Sequence, residues 1–275
     1  MKRCVCLVVL ISVFFALSPA AFAAPPVKWD LPLMSVPGFY ITKDLEFFVD
    51  ALSKKTNGNF QIILHPGSSL LKQNQLAPGV ISGRVPIAPV GDFNVYDIMP
   101  KLGVLFLPFF TSSTDQFQRG GDALRETFYQ MLDEKGLKPL FTWTWPPNHL
   151  HSKQSMGTID SWKGRKIRIY NSEQTKVLNK LNAAPTQVAF SEVYNAVQRG
   201  TVDAFITSNP NIPVMKLYEV AKFANQWTVH GGGIDYLSVN KKAWAELPAE
   251  YQVLLMAKYI DGAAVEQIAD QVKGS

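Results

Sequence analysis

Short apolar runs of strand length alternate with amphipathic helical segments along this chain, and that alternation limits its fold more than any other feature. Residues 27–31 and 60–64 have strand character, and residues 39–55 between them carry apolar side chains at helical spacing. Repeated units of this kind favour a mostly parallel sheet covered by helices. We therefore expect an α/β fold in which a ligand lies at the carboxyl ends of strands or between domains.

The pattern continues through the rest of the chain. The apolar run 85–90 contains Pro86 and Pro89, which predicts an irregular or edge strand. Ser113 followed by Gln116 is a capping-box signature, and it predicts a helix running to about residue 132. Further helices are predicted at 172–182, 192–199 and 248–272, and further strands at 137–145, 166–170, 187–190, 202–208 and 236–239.

The N-terminus has the features of an export signal. Lys2 and Arg3 precede the apolar run 5–17, which is too short to span a bilayer, and a small-residue cleavage pattern ends at Ala23. We therefore predict that residues 1–23 form a signal peptide cleaved after Ala23, and that the mature chain is periplasmic.

The positions of the two cysteines limit the chemistry available to the mature chain. Cys4 and Cys6 both fall inside the predicted signal, and Cys6 lacks a lipoprotein-type context. The mature chain would contain no thiol, which excludes disulfides, zinc–thiolate sites, iron–sulfur clusters and a cysteine nucleophile. The formal net charge of +5 is carried by scattered lysines and arginines, so we expect no nucleic-acid partner.

Two breaks divide the predicted elements into two domains. Pro146 and Pro147 form a stiff pair suited to a crossover, and Gly231–Gly233 suits a hinge. We predict that domain I comprises residues 24–149 and 233–275, with a C-terminal bracing helix, and that domain II comprises residues 150–232.

Catalytic motifs are absent from the sequence. It contains no nucleophile-elbow, phosphate-loop, dinucleotide-binding or zinc-protease pattern. His149 and His151 share one face of a strand, but no acidic residue lies close to them in sequence, so they are a weak candidate for metal binding. We expect no catalytic residue, no metal and no cofactor.

The strand predicted at 166–170 carries the main candidate for ligand binding. Alternation places Lys166, Arg168 and Tyr170 on one face. An arginine at such a position is normally solvated, but its planar, permanently charged guanidinium group also suits bidentate binding of a carboxylate.

Several ordered segments resemble the substrate-binding proteins of tripartite ATP-independent periplasmic (TRAP) transporters, the DctP-type family. The most specific is Ser-Glu-Val-Tyr-Asn-Ala-Val-Gln-Arg-Gly-Thr-Val-Asp at 191–203, and the next is Trp-Lys-Gly-Arg-Lys-Ile-Arg at 162–168. Shorter matches occur at 48–58, at the Pro-Gly turn of 65–70 and at the Leu-Pro-Phe of 107–109.

The resemblance implies a two-domain periplasmic binding protein-like clamp that closes by a hinge on a ligand between its domains. It also implies that the chain is the solute-binding subunit of a TRAP-type transporter, capturing a small organic acid and delivering it to membrane permease subunits. Arg168 falls on the family's carboxylate-clamping arginine.

The chain departs from the family pattern at two places in the site. Residues 143–150 lack the second arginine of many members, which favours a monocarboxylate held by Arg168 and neutral donors. The family's Asp-Gly-x-Glu-Asn-Pro segment is replaced by residues 203–210, from which we expect three side chains to reach the ligand. The full set of predicted ligand-binding residues is Arg168, Asn171, Trp145, Asn148, Thr207, Ser208, Asn209, Asp92, Phe93 and Asn94.

Other interpretations remain open from the sequence. The chain could be the binding subunit of an ABC-type transporter or of a sensor, an exported hydrolase with a triad from distant segments, or a structural envelope protein. We expect a monomer, and aromatic, hydroxy- and keto-acids all remain candidate ligands.

Overall fold

A computed structural model describes residues 26–91 and 98–257. The predicted signal peptide, the candidate ligand residues Asp92, Phe93 and Asn94, and the predicted helix beyond residue 257 lie outside the described residues. Ten strands are described: β1 Val27–Pro32, β2 Phe60–His65, β3 Ile87–Gly91, β4 Leu137–Trp145, β5 Asn148–Ser152, β6 Lys166–Ile169, β7 Ala184–Gln187, β8 Ala204–Ser208, β9 Phe223–His230 and β10 Gly233–Asn240.

The described helices alternate with these strands. Ser113 caps the longest of them, because its side chain accepts a hydrogen bond from the backbone N–H of Gln116 at 3.2 Å, as the capping signature predicts. The helices are α1 Tyr40–Lys55, α2 Leu76–Ile81, α3 Thr114–Glu134, α4 Ser172–Lys180, α5 Val193–Gln198, α6 Asn211–Val214, α7 Lys241–Ala245 and α8 Ala249–Met256.

The strands form three sheets, which confirms the α/β class but not the mostly parallel pairing. β1 pairs with β2, three strands follow the order β3-β10-β4, and five follow the order β7-β6-β8-β5-β9. The described pairs β1–β2, β6–β7 and β6–β8 are parallel, whereas β3–β10, β4–β10, β5–β8 and β5–β9 are antiparallel. β3 is an edge strand of its sheet, as its prolines predict.

The antiparallel pairs have a topological cause. The chain leaves the three-stranded sheet through β4, enters the five-stranded sheet through β5, and returns through β9 into β10. The outgoing and returning segments pair with each other in both sheets, so they must run in opposite directions. The sequence shows the alternation of elements but not this double crossing, which is why it predicted too many parallel pairs.

Gly231 and Gly232, in the returning crossing, are required by close packing. A Cβ on Gly231 would lie 2.3 Å from Oγ1 of Thr111, and one on Gly232 would lie 2.9 Å from the carbonyl oxygen of Trp145. Both contacts are closer than real side chains allow, so a residue without a Cβ is needed here. Gly231 therefore lets the returning segment approach Thr111, and Gly232 lets it approach the end of β4, whatever flexibility they add.

The buried apolar side chains form clusters on either side of the crossings. Two clusters draw on residues 29–145 and 234–255, one packed with α2 and α3 and the other with α1 and α8. Two further clusters draw on residues 150–229. The predicted domain boundaries at 149/150 and 232/233 stay a prediction, and the first of these positions falls inside β5.

Two local predictions were wrong in detail. β7 ends at Gln187, before most of the predicted strand 187–190, and Phe190 begins a 3-10 turn instead. Helix α5 begins at Val193, so Glu192, where the helix was predicted to begin, lies in that turn. None of the helices in the described part of the chain is long and apolar enough to cross a membrane.

Candidate functional site

Arg168 lies in β6, at the centre of a small cavity between the two halves of the fold. Its side chain is 2% exposed although it carries a charge. The cavity is about 40 Å³ and is lined by Met34, Gln73, Trp145, Asn148, Arg168, Tyr170, Phe190, Thr207 and Asn211. Met34 and Gln73 come from the N-terminal half, and the lining from Asn148 onwards comes from the five-stranded sheet and its connections.

The guanidinium is held in place by neutral groups. Nε donates to the carbonyl oxygen of Val188 at 2.9 Å, and Nη1 donates to the carbonyl oxygen of Ile206 at 3.2 Å. Its central carbon lies 5.3 Å from the ring centroid of Tyr170, within the range of a cation–π contact. Because these contacts use two of five N–H donors, Nη1 and Nη2 can still donate to the two oxygens of a carboxylate.

No carboxylate among residues 26–91 and 98–257 forms an ion pair with Arg168. Burial lowers the pKa of its guanidinium to about 10, and the Tyr170 hydroxyl acts in the opposite direction. The group is therefore charged at neutral pH. A buried charge without an opposite charge is costly, and an anionic ligand would offset that cost.

Two of the other predicted residues form walls of the cavity. Trp145 is 7% exposed, donates from Nε1 to Oδ2 of Asp235 at 2.8 Å and stacks on Phe39. Asn148 is also buried, and its Nδ2 donates to the Tyr170 hydroxyl at 3.4 Å. With Arg168 and Thr207, these residues are the part of the predicted set that the structure brings together.

The remaining described candidates lie apart from this lining. Asn171 caps α4, because its Oδ1 accepts from the backbone N–H of Gln174 at 3.0 Å. Ser208 is buried and accepts from Asn211, whereas Asn209 is exposed. Sequence reasoning expected donors from all three. The cap uses only the oxygen of Asn171, and its buried Nδ2 has no partner, but Asn171 is not part of the described lining. Ser208 contacts a neighbouring side chain, and Asn209 faces solvent.

Several lining residues were missed from the sequence. Met34, Gln73, Phe190 and Asn211 were not predicted, and Tyr170 was placed only on the same strand face as Arg168. Asn211 is the one with a usable signal, since it follows the Asn209-Pro210 turn by a single residue. Met34 and Gln73 lie far from Arg168 in sequence and gave no local signal.

A second, larger cavity of about 500 Å³ lies between α1 and α3 beside the edge strand β4. Its lining includes Asp44, Asp122 and Arg125, and it contains none of the predicted ligand residues. Arg125 is paired with Asp122 there, so that cavity offers no free buried cation to an acid. We place the ligand site at Arg168 because chemistry, rather than size, distinguishes it.

The four histidines all lie in the described part of the chain. The described residues contain no group of three or more histidine, cysteine or acidic side chains arranged to hold a metal ion. His151 is buried against the ring of Phe205, with ring centroids 5.5 Å apart, and His149 is half-buried beside it. Burial lowers the pKa of both imidazoles, to about 4 for His151.

A pair of sheets joined by two crossings, with a buried cationic site between them, defines a ligand-binding clamp. The family described as "Bacterial extracellular solute-binding protein, family 7" matches residues 36–272, and the chain belongs to that family. This confirms the predicted resemblance to the DctP-type proteins.

Curated relatives share this family. The C4-dicarboxylate-binding periplasmic protein DctP of Rhodobacter capsulatus is 30% identical over 242 residues, covering 80% of this chain and 68% of that protein. The sialic acid-binding periplasmic protein SiaP of Vibrio cholerae is 28% identical over 185 residues, covering 64% of this chain and 56% of that protein. The chain also spans only 66% of a solute-binding protein of Sulfitobacter.

Solved structures share the two-domain clamp fold. A Bordetella pertussis extracytoplasmic solute receptor binding pyroglutamic acid is 23% identical, with a TM-score of 0.79 over 90% of this chain and 81% of that chain. A TRAP periplasmic solute-binding protein of Chromohalobacter salexigens with bound D-glucuronate is 25% identical, with a TM-score of 0.77 over 90% of this chain and 84% of that chain.

Proposed function

We propose that this chain is the exported solute-binding subunit of a TRAP-type transporter, and that it captures a small monocarboxylate at Arg168. One observation carries the proposal: a buried, charged guanidinium lines a cavity, and no described carboxylate pairs with it. The ligand's carboxylate would supply the missing charge and take a bidentate bond from the Nη1 and Nη2 ends.

A single positive charge sets the preferred charge of the ligand. No second arginine, lysine or histidine belongs to the described lining of this cavity. A second carboxylate on the ligand would be desolvated without a counter-charge, which is unfavourable. The other lining residues are amides, a hydroxyl group and apolar or aromatic side chains, which suit the neutral remainder of a monocarboxylate.

Ligand entry requires the clamp to open. The cavity of about 40 Å³ holds about three water molecules, which is less than an organic acid needs. The acid would enter when the side bearing Met34 and Gln73 separates from the side bearing Arg168. Ligand binding would then favour the closed state only by its greater affinity for that state.

The remaining parts of the proposal are inferred from membership of the family. Residues 1–23 would direct export and be removed after Ala23, leaving a periplasmic monomer that passes its ligand to the membrane permease subunits. The related proteins carry names that refer to periplasmic binding, and their acids differ, so the exact acid is not fixed by family membership. Domain I at 24–149 and 233–275, and domain II at 150–232, would be the two moving parts.

Calorimetric titration of the exported chain tests the ligand site. Pyroglutamate, orotate and glucuronate serve as monocarboxylate probes, and succinate serves as the dicarboxylate. We expect a monocarboxylate to bind more tightly than succinate. Arg168→Met should weaken that binding by about 100-fold, in line with the loss of one partner of a buried charge pair.

Two further variants sharpen the result. Arg168→Lys keeps the positive charge but lacks the planar guanidinium that donates two parallel hydrogen bonds. Its affinity for the acid should therefore lie between those of wild type and Arg168→Met. Arg199→Met removes an exposed arginine after α5 and should leave affinity unchanged. Unchanged affinity in Arg168→Met would refute the site, and tighter binding of succinate would refute the monocarboxylate preference.

A further inference from the structure

Asn211, the first residue of α6, holds an unusual position in the arginine cavity. It is 3% exposed and lines the cavity together with Arg168 and Thr207. Its Nδ2 donates to Oγ1 of Thr207 at 2.7 Å and to Oγ of Ser208 at 3.0 Å, so both amide hydrogens are engaged. Its Oδ1 is buried and has no hydrogen-bond partner among the described residues.

A buried amide oxygen without a donor is unfavourable, because folding removes the water that would satisfy it. The two hydroxyl groups fix the orientation of the Asn211 amide, which leaves its Oδ1 as the unused acceptor of a residue that lines the cavity. We propose that Asn211 is a specificity-determining residue whose Oδ1 accepts a hydrogen bond from an O–H or N–H group of the ligand. This inference rests on the proposed function, in which Arg168 holds the ligand's carboxylate.

A hydrogen bond of this kind would let the site distinguish between acids of the same shape. A hydroxy acid or a lactam acid offers a donor to Asn211, whereas the matching keto acid or lactone offers only an acceptor. An acceptor facing Oδ1 would leave both oxygens unsatisfied and close together. A site built around such a hydrogen bond discriminates against the analogue that lacks the donor.

The apolar part of the lining does not make this choice. Met34 and Phe190 are apolar, and the indole N–H of Trp145 is already engaged with Asp235. These side chains accept the carbon skeleton of either acid with similar free energy, because apolar contact does not depend on the donor. Polar groups of Gln73, Asn148, Thr207 and Tyr170 also line the cavity, so a variant of Asn211 is needed to assign the discrimination to this residue.

Two matched pairs of acids test the inference on the exported chain by calorimetry. The first pair is pyroglutamate and its lactone analogue, 5-oxotetrahydrofuran-2-carboxylate, which replaces the ring N–H by oxygen. The second pair is 2-hydroxy-3-methylbutanoate and 2-oxo-3-methylbutanoate. In whichever pair binds, we expect the acid that carries the donor to have a dissociation constant at least about tenfold lower than that of its partner acid.

Asn211→Leu removes the acceptor at similar volume, so it should reduce the difference within the pair to about twofold while the carboxylate still binds. Equal affinities in the wild-type chain, or tighter binding of the lactone or keto acid, would overturn the inference. So would the failure of all four acids to bind. Equal or reversed wild-type affinities overturn the inference even if Asn211→Leu does not fold.

The same measurements can refute the carboxylate site at Arg168 independently of the role of Asn211. Arg168→Met should weaken binding of both members of a pair by about 100-fold, whichever is tighter. If wild-type affinities are equal and Arg168→Met still weakens binding to this extent, only the role of Asn211 is refuted. If Arg168→Met leaves both affinities unchanged, the carboxylate site itself is refuted.

Discussion

Trp145 donates from its indole Nε1 to Oδ2 of Asp235 at 2.8 Å, and this bond ties the wall of the arginine cavity to the central strand of the three-stranded sheet. Trp143 donates to the same oxygen at 3.0 Å. Phe39 stacks on Trp145 with ring centroids 5.3 Å apart and an angle of 18° between the rings. Hydrogen bonding and packing therefore fix the wall independently of the ligand.

Asp235→Ala should lower the free energy of unfolding by about 2–4 kcal/mol, because it leaves two indole N–H groups in or near the core without their acceptor. It should also weaken acid binding, since Trp145 would no longer be held against the cavity. Urea unfolding and calorimetric titration measure the two effects. Asp115→Ala is the control, because that side chain is 74% exposed and should cost less than about 0.5 kcal/mol.

An unfolding free energy for Asp235→Ala that matches the Asp115→Ala control would show that Asp235 does not support the tryptophans. Asp235→Asn provides a graded test, because it keeps an oxygen acceptor but removes the charge. It should fall between wild type and Asp235→Ala in stability.

We predict that Tyr170 contributes to the site mainly through its ring. The Arg168 guanidinium carbon lies 5.3 Å from the ring centroid, and the bond that Asn148 donates to the hydroxyl is long, at 3.4 Å. Tyr170→Phe should therefore change acid affinity by less than about 0.5 kcal/mol, and Tyr170→Leu should cost about 1 kcal/mol or more. Equal losses for the two variants in calorimetric titration would assign the effect to the hydroxyl instead.

The sequence predicted those parts of the fold and site that depend on local pattern. Strand alternation and the motif match located β6, and Arg168 within it lines a cavity as predicted. The helix cap at Ser113 and the edge position of β3 followed from short-range rules for capping and proline.

The parts that were not predicted depend on tertiary structure. Met34 and Gln73 reach the cavity only because the fold brings the N-terminal half against the five-stranded sheet. Asn171 looked like a ligand donor, but the same side chain is a favourable helix cap, and the local interaction uses its oxygen. Asn209 and Asn211 flank a proline, and sequence alone does not show which of the two turns inward.

Gly231 should tolerate no side chain. An added Cβ would lie 2.3 Å from Oγ1, 2.7 Å from Cβ and 2.9 Å from the backbone carbon of Thr111. Gly231→Ala should therefore destabilise the fold by about 2 kcal/mol or more, because overpacking forces the returning crossing segment away from the backbone of Thr111. Gly157→Ala is the matched control, since nothing lies within 4 Å of the added Cβ.

Thermal unfolding of the two glycine variants measures this difference. Thr111→Ala in the Gly231→Ala background should restore only part of the stability, because the clashes with Cβ and the backbone of residue 111 remain. A Gly231→Ala variant as stable as Gly157→Ala would show that the crossing has room to adjust.

His151 should make the stability of the fold depend on pH. The imidazole is 4% exposed, and burial, followed by the charge of His149, lowers its pKa to about 4, while a backbone hydrogen bond to Thr207 acts in the opposite direction. Between about pH 6.5 and pH 4 the unfolded chain binds a proton at this residue that the folded chain does not. The free energy of unfolding should therefore fall as the pH falls through this window, by at most about 3 kcal/mol from this residue.

His151→Phe should remove that part of the pH dependence, because phenylalanine can keep the stacking on Phe205 without binding a proton. Urea unfolding at pH 7.0, 5.5 and 4.5 gives the slope for each protein. His149 should retain a smaller dependence of the same sign, since burial lowers its pKa as well. His65→Gln, far from this cluster, should leave the His151 contribution in place, and a His151→Phe slope equal to that of wild type would show that His151 is protonated alike in both states.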